Sequence, residues 1–238
     1  MLFFYIRHGD PVYDPDSLTP LGERQAEALA KRLARYGIDE IYSSTSQRAI
    51  DTAKPTCEIL KKGITEFDWC NEKYAWDEFT VIKDDGKKEW VFASNKYRKI
   101  FCKQEIKNLR NAWYEAPEFA NYAFKDGIIR INREVDAFFN TLGYSHNRDE
   151  GVYISKESNE KRIALFAHQG FGMAFLSSVL DIPYPEFTLH FDLSHSSMTV
   201  LEFKDVDGVV LPKVLTLSND SHLYGENLPT KYNNRIAF

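Results

Sequence analysis

The sequence Leu-Phe-Phe-Tyr-Ile-Arg-His-Gly at residues 2–9 decides the fold. It is an apolar run that ends abruptly in a cation, an imidazole and a glycine, a pattern typical of a buried strand that delivers polar groups to the carboxyl edge of a sheet. A second apolar run, Ile163–Ala167, ends in His168. Open α/β sheets bind ligands at that edge. We therefore expect both histidines to lie at one ligand-binding edge.

The first half of the chain alternates strands and helices. Thr19 and Pro20 form a helix start, because Thr caps helices and Pro suits their first position, and Gly37 is a stop signal. A second strand is predicted over Asp39–Ser44, followed by a helix over Gln47–Leu60 that carries Arg48 in its first turn. This order predicts a parallel sheet with right-handed crossovers.

The alternation resumes near the carboxyl end of the chain. A strand is predicted over Arg162–Ala167 and a helix over Gly170–Leu180. Two further strands are predicted over Ser197–Phe203 and Val209–Leu217, and Asp207-Gly208 supplies a hairpin turn between them. The chain thus returns to the sheet after a long interruption.

The segment between the two halves, residues 67–159, has helical patches but no clear strand rhythm. Its first part, Phe67 to Phe124, holds 14 of the 34 aromatic residues, an enrichment that favours a core of its own. We predict a single domain over residues 1–238, with 67–159 as an inserted lid.

Composition limits the classes of function. The net charge of -5 argues against general nucleic-acid binding, which needs a basic surface. No apolar run approaches the ~20 residues that span a bilayer, and the first residues lack a secretion signal, so the cytoplasm is the expected location. Cys57, Cys70 and Cys102 show no paired spacing and are expected to be reduced thiols, buried or inert.

Four groups are expected at the carboxyl edge: Arg7, His8, Arg48 and His168. Two guanidinium groups and two imidazoles in one pocket describe an anion site, and the planar fork of Arg matches phosphate oxygens. Adjacent strand residues face opposite sides, so Arg7 and His8 share a pocket only if the backbone bends, which Gly9 makes easy. The sequence therefore predicts a phosphate site.

Several spaced motifs then carry a family resemblance. They are Arg7-His8-Gly9, Leu18-Thr19-Pro20-Leu21-Gly22 with Gln25-Ala26, Ile41-Tyr42-Ser43-Ser44 with Arg48-Ala49 and Thr52-Ala53, and Ala167-His168. With these motifs the chain resembles the histidine phosphatase superfamily, which includes the cofactor-dependent phosphoglycerate mutases. The resemblance implies a three-layer α/β/α fold of the phosphoglycerate mutase type, with a mostly parallel central sheet and a helical insertion that forms a lid.

The resemblance also implies a reaction, phosphoryl transfer through a phosphohistidine on His8. Arg7, Arg48 and His168 would hold the phosphate oxygens. Ser43 and Ser44, or the amide of Gln169, would add hydrogen bonds. Neither a metal nor a cofactor is implied. The expected partner is a small phosphorylated substrate, and the sequence leaves the oligomeric state open.

The leaving group needs a proton, and a carboxylic acid in the pocket would supply it. Trp69–Tyr74 resembles the mutase segment that carries the family's proton donor, which points to Glu72. Asp77 and Glu78 lie about one turn further along and stay open as alternatives.

Departures from the family pattern bear on the substrate. Asp10 stands where the mutases carry Glu, Asp14 where many members carry Asn, and Gln169 where Gly usually follows the second histidine. The insertion also lacks the arginine-rich signature of the mutases, so hydrolysis is favoured over mutase activity. A phosphomutase and a phosphate-binding regulatory module with little turnover remain alternatives. A metalloenzyme built on His190, His195 and His222 is a third, but no HExxH motif accompanies these residues.

Overall fold

The computed structural model describes residues 1–156, 159–230 and 232. Its strands are β1 (Leu2–Arg7), β2 (Pro11–Tyr13), β3 (Asp16–Leu18), β4 (Glu40–Ser44), β5 (Thr65–Phe67), β6 (Thr80–Ile82), β7 (Lys88–Trp90), β8 (Tyr144–Asn147), β9 (Val152–Ser155), β10 (Arg162–Ala167), β11 (Met198–Glu202), β12 (Asp205–Val206), β13 (Val209–Val210) and β14 (Lys213–Asn219). Its α-helices are α1 (Pro20–Tyr36), α2 (Gln47–Leu60), α3 (Glu72–Glu78), α4 (Asn95–Phe101), α5 (Gln104–Leu109), α6 (Phe124–Thr141), α7 (Gln169–Leu180), α8 (Tyr184–His190) and α9 (Ser221–Gly225).

The chain forms two compact units. The sheet unit consists of residues 1–71, 157–169 and 193–238, and the helical unit consists of residues 72–156 and 170–192. Most of the predicted insertion therefore belongs to the helical unit, which also takes most of α7 and all of α8. The description of the chain as one domain with a lid stays a prediction.

The central sheet lies in the sheet unit, with strand order β14-β11-β1-β10-β4-β5. Strands β1, β10, β4 and β5 run parallel, while β11 pairs antiparallel with both β1 and β14. Leu33 of α1 and Ala53 of α2 pack with Phe4 and Phe166 of the sheet in one apolar core. The predicted α/β fold with a mostly parallel central sheet is confirmed.

The strand register sets the position of the histidines. Strand β1 pairs with β10 so that Arg7 lies opposite Ala167, and both strands run in the same direction. His8 and His168 each follow these paired residues, so they leave the sheet at the same carboxyl edge. On the other side of β10, Phe166 pairs with Ser43 of β4. The end of β4 therefore reaches this edge too.

Helix α1 begins and ends where the sequence predicts. The Thr19 hydroxyl accepts a hydrogen bond from the Gly22 amide, and Pro20 is the first helical residue. At the other end Gly37 adopts φ 69°, a left-handed conformation that favours glycine, and its N–H donates to the carbonyl of Leu33. Both signals act locally, which is why the sequence alone reveals them.

The carboxyl-terminal strands differ from the prediction. The Asp207-Gly208 turn joins β12 to β13, not the two long strands β11 and β14, which pair antiparallel with each other. The predicted strand Val209–Leu217 is interrupted at Leu211 and Pro212. Pro212 has no N–H to donate to a strand ladder, so the chain leaves the small hairpin there and starts β14 at the next residue.

The helical unit also differs from the prediction, because it contains strands that sequence rhythm did not show. Strand β6 pairs with β7 and β8 with β9, each pair antiparallel. These strands are three or four residues long, too short for an alternating pattern to stand out. The aromatic residues form a core as expected: Trp113 contacts Phe101, Phe119, Phe124 and Tyr184.

A buried ionic network ties the helical unit together. The His146 side chain is fully buried, with Nδ1 3.0 Å from an Asp136 carboxylate oxygen and Nε2 2.7 Å from an Asp181 carboxylate oxygen. Arg148 also bonds Asp136. Burial acts to lower the pKa of His146, but the hydrogen bonds to both carboxylates outweigh it and raise the pKa above the usual 6.5.

The raised pKa of His146 predicts a pH dependence of stability. A histidine whose pKa is higher in the folded state contributes its stability in full below the unfolded pKa and loses it as the pH rises through the folded pKa. We expect the free energy of unfolding in urea to fall as the pH rises above about 6.5, and His146→Gln to reduce this fall. The exposed His190 of the same unit supplies the control, His190→Gln. Equal pH slopes in the wild type and His146→Gln would contradict the prediction.

The three cysteines are expected to be reduced thiols, buried or inert. Cys57, Cys70 and Cys102 are free thiols; the first two are buried, but Cys102 is exposed. It follows the short helix α4, where the chain turns towards α5.

Within the described residues every helix is too short or too polar to cross a lipid bilayer.

Candidate active site

The four groups predicted to meet do so in the sheet unit. Arg7 ends β1 and His8 follows it, His168 follows β10, and Arg48 is the second residue of α2, after β4. All four are buried, with 6%, 3%, 9% and 0% exposure for Arg7, His8, Arg48 and His168. The His8 and His168 rings meet edge to face, with centroids 5.3 Å apart. The carboxyl edge of the sheet therefore carries a compact basic cluster.

The hydrogen bonds of His8 define its protonation. Nδ1 lies 2.7 Å from the carbonyl oxygen of Gly9, and a carbonyl can only accept, so Nδ1 carries the hydrogen. Nε2 accepts a hydrogen bond from the Arg48 Nε–H at 3.2 Å, because a guanidinium can only donate. The lone pair of His8 is therefore on Nε2. The ring is a neutral imidazole whose orientation is fixed by its own backbone.

His168 has the opposite tautomer. Its Nδ1 lies 3.2 Å from Nη2 of Arg48 and must accept, so Nε2 carries the hydrogen and donates to the Ser44 hydroxyl at 2.8 Å. The Ser46 amide also donates to that hydroxyl oxygen. Arg48 thus bridges the two imidazoles and faces the lone pair of each.

Burial and positive charge keep both rings neutral. Burial lowers the pKa of His8 well below its usual value, and His168, Arg7 and Arg48 lower it further. Burial, followed by the charges of Arg48 and Arg7, also lowers the pKa of His168. A neutral imidazole has an available lone pair, which a protonated one lacks.

Asp16 holds Arg48 in place, a role that sequence reasoning missed. The Arg48 Nη1 donates to one Asp16 oxygen at 2.7 Å, and the other Asp16 oxygen accepts from the Ser46 hydroxyl and the Gln47 amide. Burial acts to raise the pKa of Asp16, but these hydrogen bonds outweigh it and the pKa is lowered. Asp14, which sequence reasoning considered, is exposed. No sequence motif indicates that Asp16, and not Asp14, binds Arg48.

His195 is a second residue whose position the sequence did not reveal. Arg7 donates from Nη1 to the Leu193 carbonyl at 2.5 Å and from Nη2 to His195 Nε2 at 2.7 Å. The His195 ring centroid is 5.7 Å from that of His8. Among the described residues no group of three or more His, Cys, Asp or Glu side chains is placed to hold a metal ion. His195, considered as a metal ligand, accepts a hydrogen bond from Arg7 in this structure.

Gly9 is required for a reason other than the predicted bend. It does not adopt a positive φ; instead, a Cβ at this position would lie 2.7 Å from the carbonyl oxygen of Gly22 in α1. The close approach of two backbones leaves no room for a side chain. The Gly9 amide donates to the Thr52 hydroxyl at 3.0 Å, which fixes the carbonyl that orients His8.

Ser43 and Gln169, two further residues predicted to bind phosphate, have different surroundings. Ser43 is fully buried and its hydroxyl donates to the Ser44 carbonyl, so in this structure its hydrogen is directed at the backbone. Ser44 is the serine that contacts a catalytic candidate, through His168. Gln169 is half-buried and is the first residue of α7.

The three acid candidates all belong to the helical unit and differ in their contacts. The two oxygens of Glu72 accept hydrogen bonds from the Gly170 and Phe171 amides at 2.9 and 2.8 Å. Those amides are two and three residues after His168 along the chain. Glu78 forms a two-point ion pair with Arg130. Asp77, whose side chain is 72% exposed, pairs with Lys88. Glu78 and Asp77 are thus both bound by cations.

The amino-terminal part of the chain matches a known family model. Residues 4–99 match the model described as histidine phosphatase superfamily, branch 1. The resemblance to the histidine phosphatase superfamily is confirmed. Arg7, His8, Arg48 and Glu72 lie within the matched residues, and His168 lies beyond them. No curated protein sequence matches the chain.

Solved structures of other proteins share the fold over nearly the whole chain. A mycobacterial glucosyl-3-phosphoglycerate phosphatase with inorganic phosphate has a TM-score of 0.59 at 19% identity, covering 93% of this chain and 98% of its own. The phosphoserine phosphatase of Entamoeba histolytica, in complex with 3-phosphoglyceric acid, has a TM-score of 0.58 at 16% identity, again covering 93% of this chain and 98% of its own. At these identities the similarity establishes the fold.

Proposed function

We propose that the protein is a metal-independent phosphatase that hydrolyses a small phosphate monoester through a phosphohistidine on Nε2 of His8. One observation carries the proposal: the Gly9 carbonyl holds the hydrogen on Nδ1 and leaves the lone pair on Nε2, inside a cluster of two guanidinium groups. A neutral nucleophile in a basic pocket is the combination that phosphoryl transfer to histidine needs.

In the first step the Nε2 lone pair forms a bond to phosphorus, and the bond from phosphorus to the leaving oxygen breaks. Arg48 N–H groups, which donate to the two imidazoles in this structure, would turn to the phosphate oxygens and neutralise their charge. The phosphorylated ring keeps its Nδ1 hydrogen and is cationic, and the Gly9 carbonyl that accepts this hydrogen stabilises it.

In the second step water attacks phosphorus, the bond to Nε2 breaks, and its electron pair returns to the ring. Phosphate leaves and His8 is neutral again. A carboxylic acid must give a proton to the leaving oxygen in the first step and take one from water in the second, so its proton count balances over the cycle.

We assign this acid to Glu72. The two alternative carboxylates form ion pairs: Glu78 pairs with Arg130, and Asp77 pairs with Lys88. Both oxygens of Glu72 accept hydrogen bonds from backbone amides, at the start of the helix that follows His168. A hydrogen bond to a neutral amide leaves a carboxylate freer to exchange a proton than a two-point pair with Arg.

The proposed substrate is a small phosphorylated molecule. Two proteins with this fold are a phosphoserine phosphatase and a glucosyl-3-phosphoglycerate phosphatase, which supports hydrolysis of a monoester over transfer to an acceptor. The cytoplasmic location stays a prediction from the sequence.

The test is phosphate release from a broad panel of monoesters, with and without a chelator. We expect release that the chelator does not change. Activity abolished by chelation would contradict the mechanism. Binding of phosphate esters without release would instead indicate a regulatory module, and transfer to a phosphorylated acceptor would indicate a mutase.

Glu72→Gln has an effect that depends on the leaving group. For an alkyl ester, whose leaving oxygen needs a proton, we expect kcat to fall by about 10²- to 10⁴-fold. For p-nitrophenyl phosphate, whose leaving group is stable as an anion, the fall in the phosphorylation step should be much smaller. Steady-state release from the alkyl ester and a pre-steady-state burst of nitrophenolate measure the two effects.

Asp77→Asn is the matched control for this experiment, because it removes an exposed carboxylate of the same helix. It should leave turnover of the alkyl ester unchanged. Full turnover of the alkyl ester by Glu72→Gln would contradict the assignment and pass the acid role to Asp77 or Glu78.

A further inference from the structure

The sheet unit contains a second basic pocket, built from residues that the proposed reaction does not use. It lies between α1 and α9 and has a volume of about 340 Å³. Its polar lining consists of Lys31, Arg32, Arg35, Ser221, His222 and Glu226. This volume is at the lower end of the range for small-molecule sites.

Arg32 is held in this pocket by two hydrogen bonds. Arg32 donates from Nη1 to the Asn219 side-chain oxygen at 2.6 Å and to the Ser221 hydroxyl at 2.8 Å. Lys31 pairs with Glu226 at 2.8 Å, so these two charges balance. Arg32 and Arg35 therefore leave the pocket with net positive charge. Arg35 makes no hydrogen bond or ion pair with any residue that the structure describes.

His222 supplies a second, independent observation at this pocket. It is 7% exposed, and its Nε2 lies 3.0 Å from the Ser196 hydroxyl. Its Nδ1 is buried and has no hydrogen-bond partner among the described residues. Buried polar atoms without a partner are rare in native proteins, and His222 is one of the residues that line this pocket.

The tautomer of His222 is compatible with such an acceptor. The Ser196 hydroxyl can donate to Nε2, which places the ring hydrogen on Nδ1. Burial, and then the charge of Arg32, lower the pKa of His222 to about 4, so the ring is neutral near pH 7 and offers one N–H.

We propose that this pocket binds the phosphate group of a small phosphorylated compound through Arg32, Arg35 and the Nδ1–H of His222. Phosphate oxygens accept from several donors at once, which suits two guanidinium groups from α1 and an imidazole from α9 in one pocket. The pocket is separate in its residues from the candidate active site. It is linked to it through Ser196, whose amide donates to the His8 carbonyl at 3.0 Å.

The test is a titration with inorganic phosphate, at constant ionic strength set with chloride, followed by NMR of histidine side chains labelled with ¹³C and ¹⁵N. His222 reports on the proposed pocket, and His8 and His168 report separately on the active site. We expect the His222 ring signals to shift and saturate. In Arg35→Ala the apparent Kd read at His222 should rise by about three- to tenfold.

Arg24→Ala is the matched control, because Arg24 is an exposed arginine of the same helix outside the pocket. It should leave the Kd at His222 unchanged. Both arginines are exposed, so both variants are expected to fold, and thermal unfolding checks this. His222 signals that stay fixed throughout the titration would overturn the proposal. So would equal Kd values for Arg35→Ala and Arg24→Ala.

Discussion

His8→Ala is expected to lower phosphate release by about 10⁴-fold or more, because it removes the atom that forms the bond to phosphorus. The remaining Arg7, Arg48 and His168 can still bind phosphate, so KM or the phosphate Kd should change far less than kcat. Steady-state phosphate release and phosphate binding measure the two quantities.

One control variant makes the His8 experiment specific. His190→Ala, at an exposed histidine outside the site, should keep full activity. Activity that survives in His8→Ala would show that water attacks the ester directly, and the division of roles between the two buried histidines would be wrong.

Arg48→Ala is expected to lower kcat/KM by about 10²- to 10³-fold, as loss of a donor to a developing charge does in other enzymes. The single guanidinium contacts His8, His168 and Asp16, so its removal affects the nucleophile, its partner and a half-buried carboxylate together. Arg48→Lys should restore little activity, because an ammonium cannot reproduce the planar set of donors.

The pH dependence of the rate distinguishes an electrostatic role of Arg48 from a merely structural one. Burial, His168 and the two arginines lower the pKa of His8, so loss of the Arg48 charge should raise it. The reaction needs the neutral ring, and the acidic limb of the rate profile should therefore move to higher pH in Arg48→Ala. Arg24→Ala serves as the control. An acidic limb at the wild-type position would contradict the electrostatic role of Arg48.

The sequence was sufficient to predict the residues that end strands. His8 and His168 follow apolar runs whose burial is visible in the sequence, and parallel strands bring their carboxyl ends together. Arg48 was predictable because it lies in the first turn of a helix after the next strand. Local signals, such as the Thr19 cap of α1, were reliable for the same reason.

The residues that orient this cluster were not predictable. Asp16 comes from the short hairpin β2–β3, and His195 from the loop before β11. Their contacts with Arg48 and Arg7 depend on how these segments pack in the sheet unit, which no periodicity encodes. The importance of the Gly9 carbonyl was also hidden, because the sequence suggests the bend and not the acceptor that fixes the tautomer of His8.

The most direct test of the phosphohistidine on His8 is to trap it. The enzyme is mixed with p-nitrophenyl phosphate, quenched in alkali within the burst phase, and digested for mass spectrometry, while ³¹P NMR distinguishes the two ring positions. We predict one phosphoryl group on Nε2 of His8, formed at the rate of the burst. A phosphoryl group on Nδ1, on His168 or on any other residue would contradict the mechanism.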